Sequence, residues 1–177
     1  GGKISAGPLW DFNLAFGNAD YCEGWLTENL GTDCGRGTFW WNRLLADTIF
    51  QNLTKCRWEE LRAGPFHTDS VLAFIDEMAA LLDEAQQRNF IRWQVLGTQL
   101  WPNYFVGNTY EEEINFLKNW MTQRLQWVDQ NLPGNENNCR AQGGSAITIT
   151  EINYHPDIAL DDGDWIELHN TGNTSVD

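Results

Sequence analysis

The sequence predicts an α+β protein that is mainly α, with a short N-terminal strand, a helical body and a short β segment at the end. Apolar residues recur every three or four positions through much of 38–131, which is the period of an amphipathic helix. Residues 147–170 instead alternate apolar and polar side chains, which is the period of a strand. The polar, Gly-rich stretch 134–146 between them is typical of a linker.

Residues 3–16 alternate weakly and are rich in Gly and Pro, so they predict a strand that enters a turn at residues 17–18. From Thr38 the period becomes helical, with Thr38 as the N-cap. The apolar stripe of this helix is Trp40, Leu44, Leu45, Ile49 and Leu53. A second, short helix is predicted to begin at an N-cap on Thr54 and to end at residues 64–65, where Gly and Pro stop helices.

Two longer helices are predicted further along the chain. The first has an apolar stripe that runs from Val71 to Ala85, opposite a row of carboxylates. Residues 89–108 are aromatic but aperiodic and include a proline, which predicts an irregular connector. Thr109 and Glu112 have the spacing of a capping box, so the last helix is expected to start there and to run to about Asn131.

The charge balance excludes two classes of partner. Eleven basic residues stand against 25 acidic ones, which gives a formal net charge of −14. Such a field repels phosphate backbones and anionic lipids, so neither nucleic acid nor a bare membrane surface is an expected partner. No apolar run approaches the roughly 20 residues that span a bilayer, so no membrane span is expected.

Four cysteines, at positions that lack the C-x-x-C spacing of zinc sites, predict two disulfides and an oxidising compartment. The twelve-residue step from Cys22 to Cys34 favours a local pair, and by elimination Cys56 would then pair with Cys139. The alternative is four buried free thiols in a reducing compartment, because free cysteine is among the most buried residue types.

Three separated motifs carry a family resemblance. "GPLWDFNLAFGNADY", "FIRWQVLGTQLWPN" and "TYEEEINFLKNWMTQRLQWVD" occur in this order, and residues 3–132 resemble the C-terminal half of the spore coat protein H (CotH) kinase family. "ITITEINYHPDIALDDGDWIELHNTG" is similar to the opening of a lamin-tail domain, an immunoglobulin-like sandwich. These resemblances imply a kinase-like domain over residues 1–133, a linker over 134–146 and the first lamin-tail strands over 147–177.

The resemblance implies the helical C-lobe of an atypical kinase-like fold and a phosphotransferase activity. Members of the family bind ATP with Mg²⁺ or Mn²⁺ and phosphorylate Ser or Thr of coat or surface proteins. The resemblance assigns the metal ligand to Asp11 of the W-D-F-N motif, and Asn13 could add an amide oxygen, although many relatives carry Asp there. Without the family, Asp11 could equally be a turn residue. The expected location is extracellular, on the cell surface or in the spore coat of a bacterium.

The sequence contains no counterpart of the other chemical groups that a kinase needs for catalysis. The family's base and its phosphate-binding Lys or Arg lie upstream of W-D-F-N, and only ten residues precede Asp11. The chain also lacks an initiator Met and a Gly-rich phosphate loop. We therefore expect a fragment with no catalytic residue of its own, inactive in isolation, whose partner is the upstream part of its kinase domain. The alternative is a structural or adhesion module of a spore coat or cell surface protein.

The remaining candidates favour structural roles. His67, His155 and His169 follow no metal-ligand spacing and are interpreted as turn or surface residues rather than zinc ligands. The acidic stretch 157–164 lacks the Gly at the sixth place and the Glu at the twelfth place of an EF-hand calcium loop, and it is interpreted as a solvated acidic turn. Two strands cannot bury a face alone, so the strands of segment 147–170 are expected to pair with another chain, to pack on the helical body or to be poorly ordered.

Overall fold

The computed structural model describes residues 14–28, 41–139, 147–153 and 165–170. The first two ranges belong to one compact, helical unit, and the other two belong to a separate unit that contains a pair of strands. The structure is therefore mainly helical with a small antiparallel sheet, which confirms the predicted α+β class. Among the described helices, none combines the length and apolar character needed to cross a membrane.

The described part of the helical unit contains five helices. They are α1 (Trp41–Ala46), α2 (Thr48–Arg62), α3 (Thr68–Leu81), α4 (Asp83–Arg92) and α5 (Tyr110–Asn131). A short 3₁₀ turn, Glu136–Asn138, follows α5. Helix α1 packs against α2, and α3 packs against α5.

The first helix boundary lies at Asp47 and not at Thr54, so the predicted N-cap on Thr54 is wrong. Asp47 has extended backbone angles, and its carboxylate accepts the Phe50 backbone N–H at 2.7 Å, which starts α2. Helix α2 then runs unbroken through Thr54 to Arg62, and Ala63 caps its end beside the predicted Gly-Pro stop. The predicted cap at Thr38 lies outside the described residues.

The second difference is a break at Leu82, where one helix was predicted from Val71 to Ala85. Leu82 lies near the bridge region, with φ −89° and ψ −1°; its N–H closes α3 on the Met78 carbonyl, and α4 starts at Asp83. Asp83 accepts side-chain hydrogen bonds from two glutamines of the same helix, at 3.2 and 3.3 Å. Helix α4 continues to Arg92, so the irregular connector begins at residue 93 rather than 89.

Helix α5 confirms the prediction for 109–131. Thr109 Oγ1 accepts the Glu112 backbone N–H at 3.1 Å. The returning bond differs from a standard capping box, because the Glu112 carboxylate accepts the N–H of Asn108, at 2.6 Å, instead of that of Thr109. Three glutamates also lie in the first turn, at the positive end of the helix dipole, where negative charge is stabilised.

A polar cluster ties α2 to the C-terminal half of α5. The Asp129 carboxylate accepts hydrogen bonds from Trp58 Nε1 at 2.8 Å and from Arg62 Nε and Nη2, both at 2.9 Å. Lys55 is buried, and its ammonium donates to the Asp129 carbonyl at 2.8 Å and pairs with Glu59 at 3.0 Å. The buried ammonium therefore has a carbonyl and a carboxylate as partners, which offset the cost of desolvating it.

A disulfide joins Cys56 of α2 to Cys139, with Cα atoms 5.5 Å apart, as predicted. Cys22 also forms a disulfide, and its predicted partner, Cys34, lies outside the described residues. None of the described cysteines is free. The alternative of free thiols is therefore wrong for these three residues.

The second unit contains β1 (Ile147–Asn153) and β2 (Trp165–Asn170), which pair antiparallel. Ile147 lies opposite Asn170, and Asn153 lies opposite Trp165. A bulge between Ile149 and Glu151 shifts the register. The two predicted strands are thus present, while the immunoglobulin-like interpretation of 147–177 stays a prediction.

Candidate functional site

The two residues assigned to the metal site, Asp11 and Asn13, lie outside the described residues. The described chain begins at Leu14, directly after Asn13, and continues to Glu28. We call residues 14–28 the anchoring segment, because its backbone is held by side chains of the helical body. Residues 14–17 form a short bend rather than the end of a strand.

Gly17 makes the closest of these contacts. It is buried, with φ +85°, and a Cβ at this position would stand 2.3 Å from Cδ1 and 2.4 Å from Nε1 of Trp120 on α5. Any larger residue would collide with the indole ring, and the positive φ also disfavours L side chains. The backbone of the anchoring segment therefore lies directly on α5 at this point.

Trp120 holds the segment at two further places. The ring of Phe16 meets the indole edge to face, with centroids 6.4 Å apart and planes at 80°. Trp120 Nε1 donates a hydrogen bond to the carbonyl of Trp25 at 3.0 Å. The buried side chain of Trp120 thus contacts both Phe16 and Trp25, which are nine positions apart in the anchoring segment.

The connector between α4 and α5 supplies a second set of contacts. Asn18 Oδ1 accepts the backbone N–H of Phe105 at 2.9 Å, and the Asp20 backbone N–H donates to the carbonyl of Pro102 at 2.9 Å. The ring of Phe105 stacks on Phe116 of α5, with centroids 4.2 Å apart. The connector therefore packs on α5, the same helix that contacts the anchoring segment.

The end of the segment is fixed by an aromatic stack and a cation. The rings of Trp25 and Tyr104 are nearly parallel, with centroids 5.0 Å apart. Arg124 Nη1 donates to the carbonyl of Thr27 at 2.8 Å, and its guanidinium lies 5.2 Å from the ring centroid of Trp127. Partial burial lowers the pKa of Arg124 from its ordinary value.

Asp11 and Asn13 would each offer an oxygen donor to a metal. A carboxylate and an amide oxygen are hard donors of the type that Mg²⁺ and Mn²⁺ prefer. Magnesium sites of kinases commonly combine one or two carboxylates with nucleotide phosphates, so two oxygen donors fit such a metal.

A large apolar groove lies between α3 and α5. It consists of two adjoining cavities of about 550 and 350 Å³, and both are lined by Phe16, Val71, Phe74 and Met121. Helix α3 has no buried side chain, and Phe74 is 60% exposed. The one charged residue in the described lining is Arg124. The described lining of the groove therefore contains no carboxylate, histidine or lysine.

The two described histidines have the turn or surface roles that the sequence predicts. His67 is the N-cap of α3, and its Nδ1 accepts the Asp69 N–H at 3.3 Å. His169 is an exposed residue of β2, while His155 and the acidic stretch 157–164 lie outside the described residues. Within the described ranges no three His, Cys, Asp or Glu side chains come together as a metal site.

The comparison with known families identifies the helical body. Residues 1–128 match the family model described as CotH kinase protein. Because this match covers well over half of the 177 residues, the chain belongs to the CotH family. The searches of curated proteins and of solved structures found no match to the chain.

The matched range includes the W-D-F-N motif, the whole anchoring segment and nearly all of α5. It ends before the linker and the two strands, so the lamin-tail resemblance of 147–177 stays a prediction. Sequence reasoning singled out Asp11 but missed Trp120, Asn18 and Arg124, whose roles depend on contacts with residues more than 80 positions away.

Proposed function

We propose that the chain forms part of a metal-dependent phosphotransferase site, which transfers the γ-phosphoryl group of ATP to Ser or Thr of a coat or surface protein. The observation that carries the proposal is the family match over residues 1–128, which contains Asp11 within its W-D-F-N motif. The anchored segment that follows Asn13 supports it, because a metal ligand must be held in place to act.

In this proposal Asp11 is the main protein ligand of Mg²⁺ or Mn²⁺, and the amide oxygen of Asn13 is a weaker second contact. The bound metal would neutralise and orient the phosphates of ATP, since phosphoryl transfer depends on positioning and charge compensation. The chain supplies the ligand and its anchor. The base and the phosphate-binding cation are proposed to come from another part of the kinase domain, so the 177 residues alone transfer no phosphate.

The proposed location is outside the cell, in the spore coat or on the cell surface. The Cys56–Cys139 disulfide supports this location, because structural disulfides persist in oxidising compartments. The second unit is proposed to be the beginning of a lamin-tail-like sandwich that associates through its strands. Two strands alone are marginally stable, which supports such an association.

Equilibrium dialysis of labelled ATP, with Mn²⁺ present, against the kinase domain that includes the upstream part tests the proposal. We expect Asp11→Ala to weaken binding at least tenfold and Asn13→Ala to weaken it less. Asp20→Ala is the matched control, because it removes an exposed carboxylate from the same segment and leaves the backbone bond to Pro102 intact.

Two results would contradict the proposal: no binding of Mn²⁺ with ATP by the kinase domain that includes the upstream part, or equal binding by that domain and its Asp11→Ala variant. Either result would favour the structural or adhesion module instead. Transfer of labelled phosphate to a Ser/Thr protein by the isolated chain would separately overturn the expected inactivity.

A further inference from the structure

We propose that the anchoring segment and the connector together form a binding surface for a cationic peptide, which presents arginine or lysine side chains. The aromatic part of this surface consists of Tyr21, Trp101 and Tyr104, and its carboxylates are those of Asp20 and Glu23. The proposal does not depend on the phosphotransferase activity, because all five residues are described and none of them belongs to the W-D-F-N motif.

The three aromatic residues are exposed to solvent. The exposed fraction is 79% for Trp101, 49% for Tyr104 and 43% for Tyr21, and no other large apolar residue of the described ranges is as exposed as Trp101. The rings of Tyr21 and Trp101 are neighbours, with centroids 6.3 Å apart and planes at 33°. Tryptophan and tyrosine are enriched among the residues that dominate binding at protein interfaces, so an exposed pair of them indicates a contact site.

The turn that carries Trp101 is held in place by hydrogen bonds. Gln99 Nε2 donates to the carbonyl of Asn103 at 2.6 Å, which closes the turn around Trp101. The Asp20 backbone N–H donates to the carbonyl of Pro102 at 2.9 Å, which ties the turn to the anchoring segment. Because the backbone is fixed before a partner arrives, binding at Trp101 costs less ordering.

The two segments that form the surface carry charge of one sign. Residues 14–28 contain three exposed carboxylates, those of Asp20, Glu23 and Glu28, and no lysine or arginine. Residues 93–108 contain no charged side chain. Together with the formal net charge of −14, these carboxylates attract cations and repel anions. A cationic partner is therefore complementary to the surface, whereas an acidic partner is not.

The arginines of the protein itself lie over tryptophan rings. The guanidinium carbon of Arg92 lies 4.9 Å from the ring centroid of Trp93, and that of Arg124 lies 5.2 Å from the ring centroid of Trp127. Within the described ranges no such cation lies over Trp101, although tryptophan attracts cations more strongly than the other aromatic residues do. A guanidinium or ammonium group of a partner therefore fits the exposed ring of Trp101.

Fluorescence anisotropy of a labelled peptide tests the proposal with the whole chain. The probe is a peptide in which arginines alternate with glycines, and the matched probe carries citrulline, a neutral analogue of arginine, at the same places. In a low-salt buffer we expect the arginine peptide to bind at least about tenfold more tightly than the citrulline peptide. Salt at about 0.3 M should remove most of this difference, because it screens the exposed charges.

Substitutions of Trp101 separate the contribution of the ring from that of its apolar area. Trp101→Tyr keeps an aromatic face, whereas Trp101→Leu keeps only an apolar side chain. We expect Trp101→Leu to weaken binding of the arginine peptide about three- to fivefold and Trp101→Tyr to weaken it less than about twofold. Trp93→Leu is the matched control and should leave the affinity unchanged, because Trp93 is also exposed but Arg92 already lies over its ring.

Asp20→Asn combined with Glu23→Gln tests the carboxylates of the surface. This double variant should weaken binding of the arginine peptide at least about threefold at low salt. Glu77→Gln combined with Glu136→Gln changes the net charge by the same amount through exposed carboxylates of α3 and the 3₁₀ turn. The control should have the smaller effect, because its carboxylates lie on other elements.

Several outcomes would overturn the proposed surface. It is wrong if the arginine and citrulline peptides bind equally, or if neither of them binds. It is also wrong if Trp101→Leu has no effect, if Trp93→Leu weakens binding as much, or if the two double variants have equal effects. Binding of a neutral oligosaccharide that depends on Trp101, without binding of the arginine peptide, would assign the surface to sugars instead. These assays contain no ATP and no metal ion, so their failure leaves the proposed function as it stands.

Discussion

Gly17 lies against the indole of Trp120 so closely that no side chain fits between them. A Cβ on residue 17 would stand 2.3 Å from Trp120 Cδ1, and the backbone there has φ +85°. Glycine is therefore required at residue 17 for two reasons: the indole leaves no space for a Cβ, and the positive φ disfavours L side chains. The relationship brings the segment that follows the W-D-F-N motif onto α5 at one of the buried residues of that helix.

Gly17→Ala is expected to destabilise the helical body by about 3 kcal/mol. Overpacking a buried site costs roughly 1–3 kcal/mol, and a positive φ at a residue with a Cβ costs about 1–3 kcal/mol more. Chemical denaturation followed by tryptophan fluorescence measures the difference in the free energy of unfolding.

Gly64→Ala is the matched control for that substitution. Its Cβ would meet nothing closer than the Glu60 carbonyl at 4.0 Å, and its φ is not in the left-handed region. The same change there should be neutral or stabilise by about 0.4–1 kcal/mol through the unfolded state. Equal losses at the two positions would show that the contact with Trp120 is not what restricts residue 17.

Asp129→Ala is expected to cost about 2–3 kcal/mol. The Arg62 side chain is only 16% exposed, so removal of the carboxylate leaves a largely buried guanidinium and the Trp58 N–H without this partner. Hydrogen bonds to charged groups contribute about 1.5–3 kcal/mol. Thermal and chemical denaturation should both report the loss.

The control is Asp76→Ala, which breaks the ion pair between Asp76 and Lys118 across α3 and α5. That pair is closer, at 2.7 Å, but the aspartate side chain is 58% exposed. Exposed pairs contribute about 0–1 kcal/mol, so the substitution should have a small effect that added salt reduces further. A larger loss for Asp76→Ala than for Asp129→Ala would reverse this ranking.

The boundary between α1 and α2 gives a third prediction. Asp47→Ala removes the side chain that caps α2 and should cost about 1 kcal/mol. Thr54→Ala lies inside the same helix, where alanine has the higher helix propensity, and should be neutral or slightly stabilising. If Thr54→Ala proves the more harmful, the helix begins at Thr54 after all.

Asp47 and Thr54 also show what limited the prediction of the fold from the sequence. Asp47 and Thr54 are both residue types that cap helices, and the apolar period continues past each of them. The choice depends on tertiary contacts, since Asn52 and Cys56, on either side of Thr54, both contact the chain after α5. Helix α5 was predicted correctly because its capping residues and its apolar stripe agree.

Less of the candidate site could be predicted than of the fold. The W-D-F-N motif indicated Asp11, because a carboxylate between aromatic residues is unusual and the family resemblance gave it a role. Trp120 looks like any apolar residue of an amphipathic helix, and Asn18 looks like an ordinary turn residue. Their contacts to Trp25 and Phe105 arise only when distant parts of the chain meet.

The disulfide between Cys56 and Cys139 gives the last prediction. It closes a loop across a sequence separation of 83 and ties α2 to the end of the helical body. In the chain-entropy model a loop of this size stabilises the folded state by about 4–5 kcal/mol, which is an upper bound. Cys56→Ser with Cys139→Ser should therefore lower the melting temperature strongly, while each single variant leaves one thiol that a maleimide reagent labels. Mass spectrometry of non-reduced peptides should find the two cysteines linked in the wild-type protein, and four labelled thiols in the native chain would contradict the pairing.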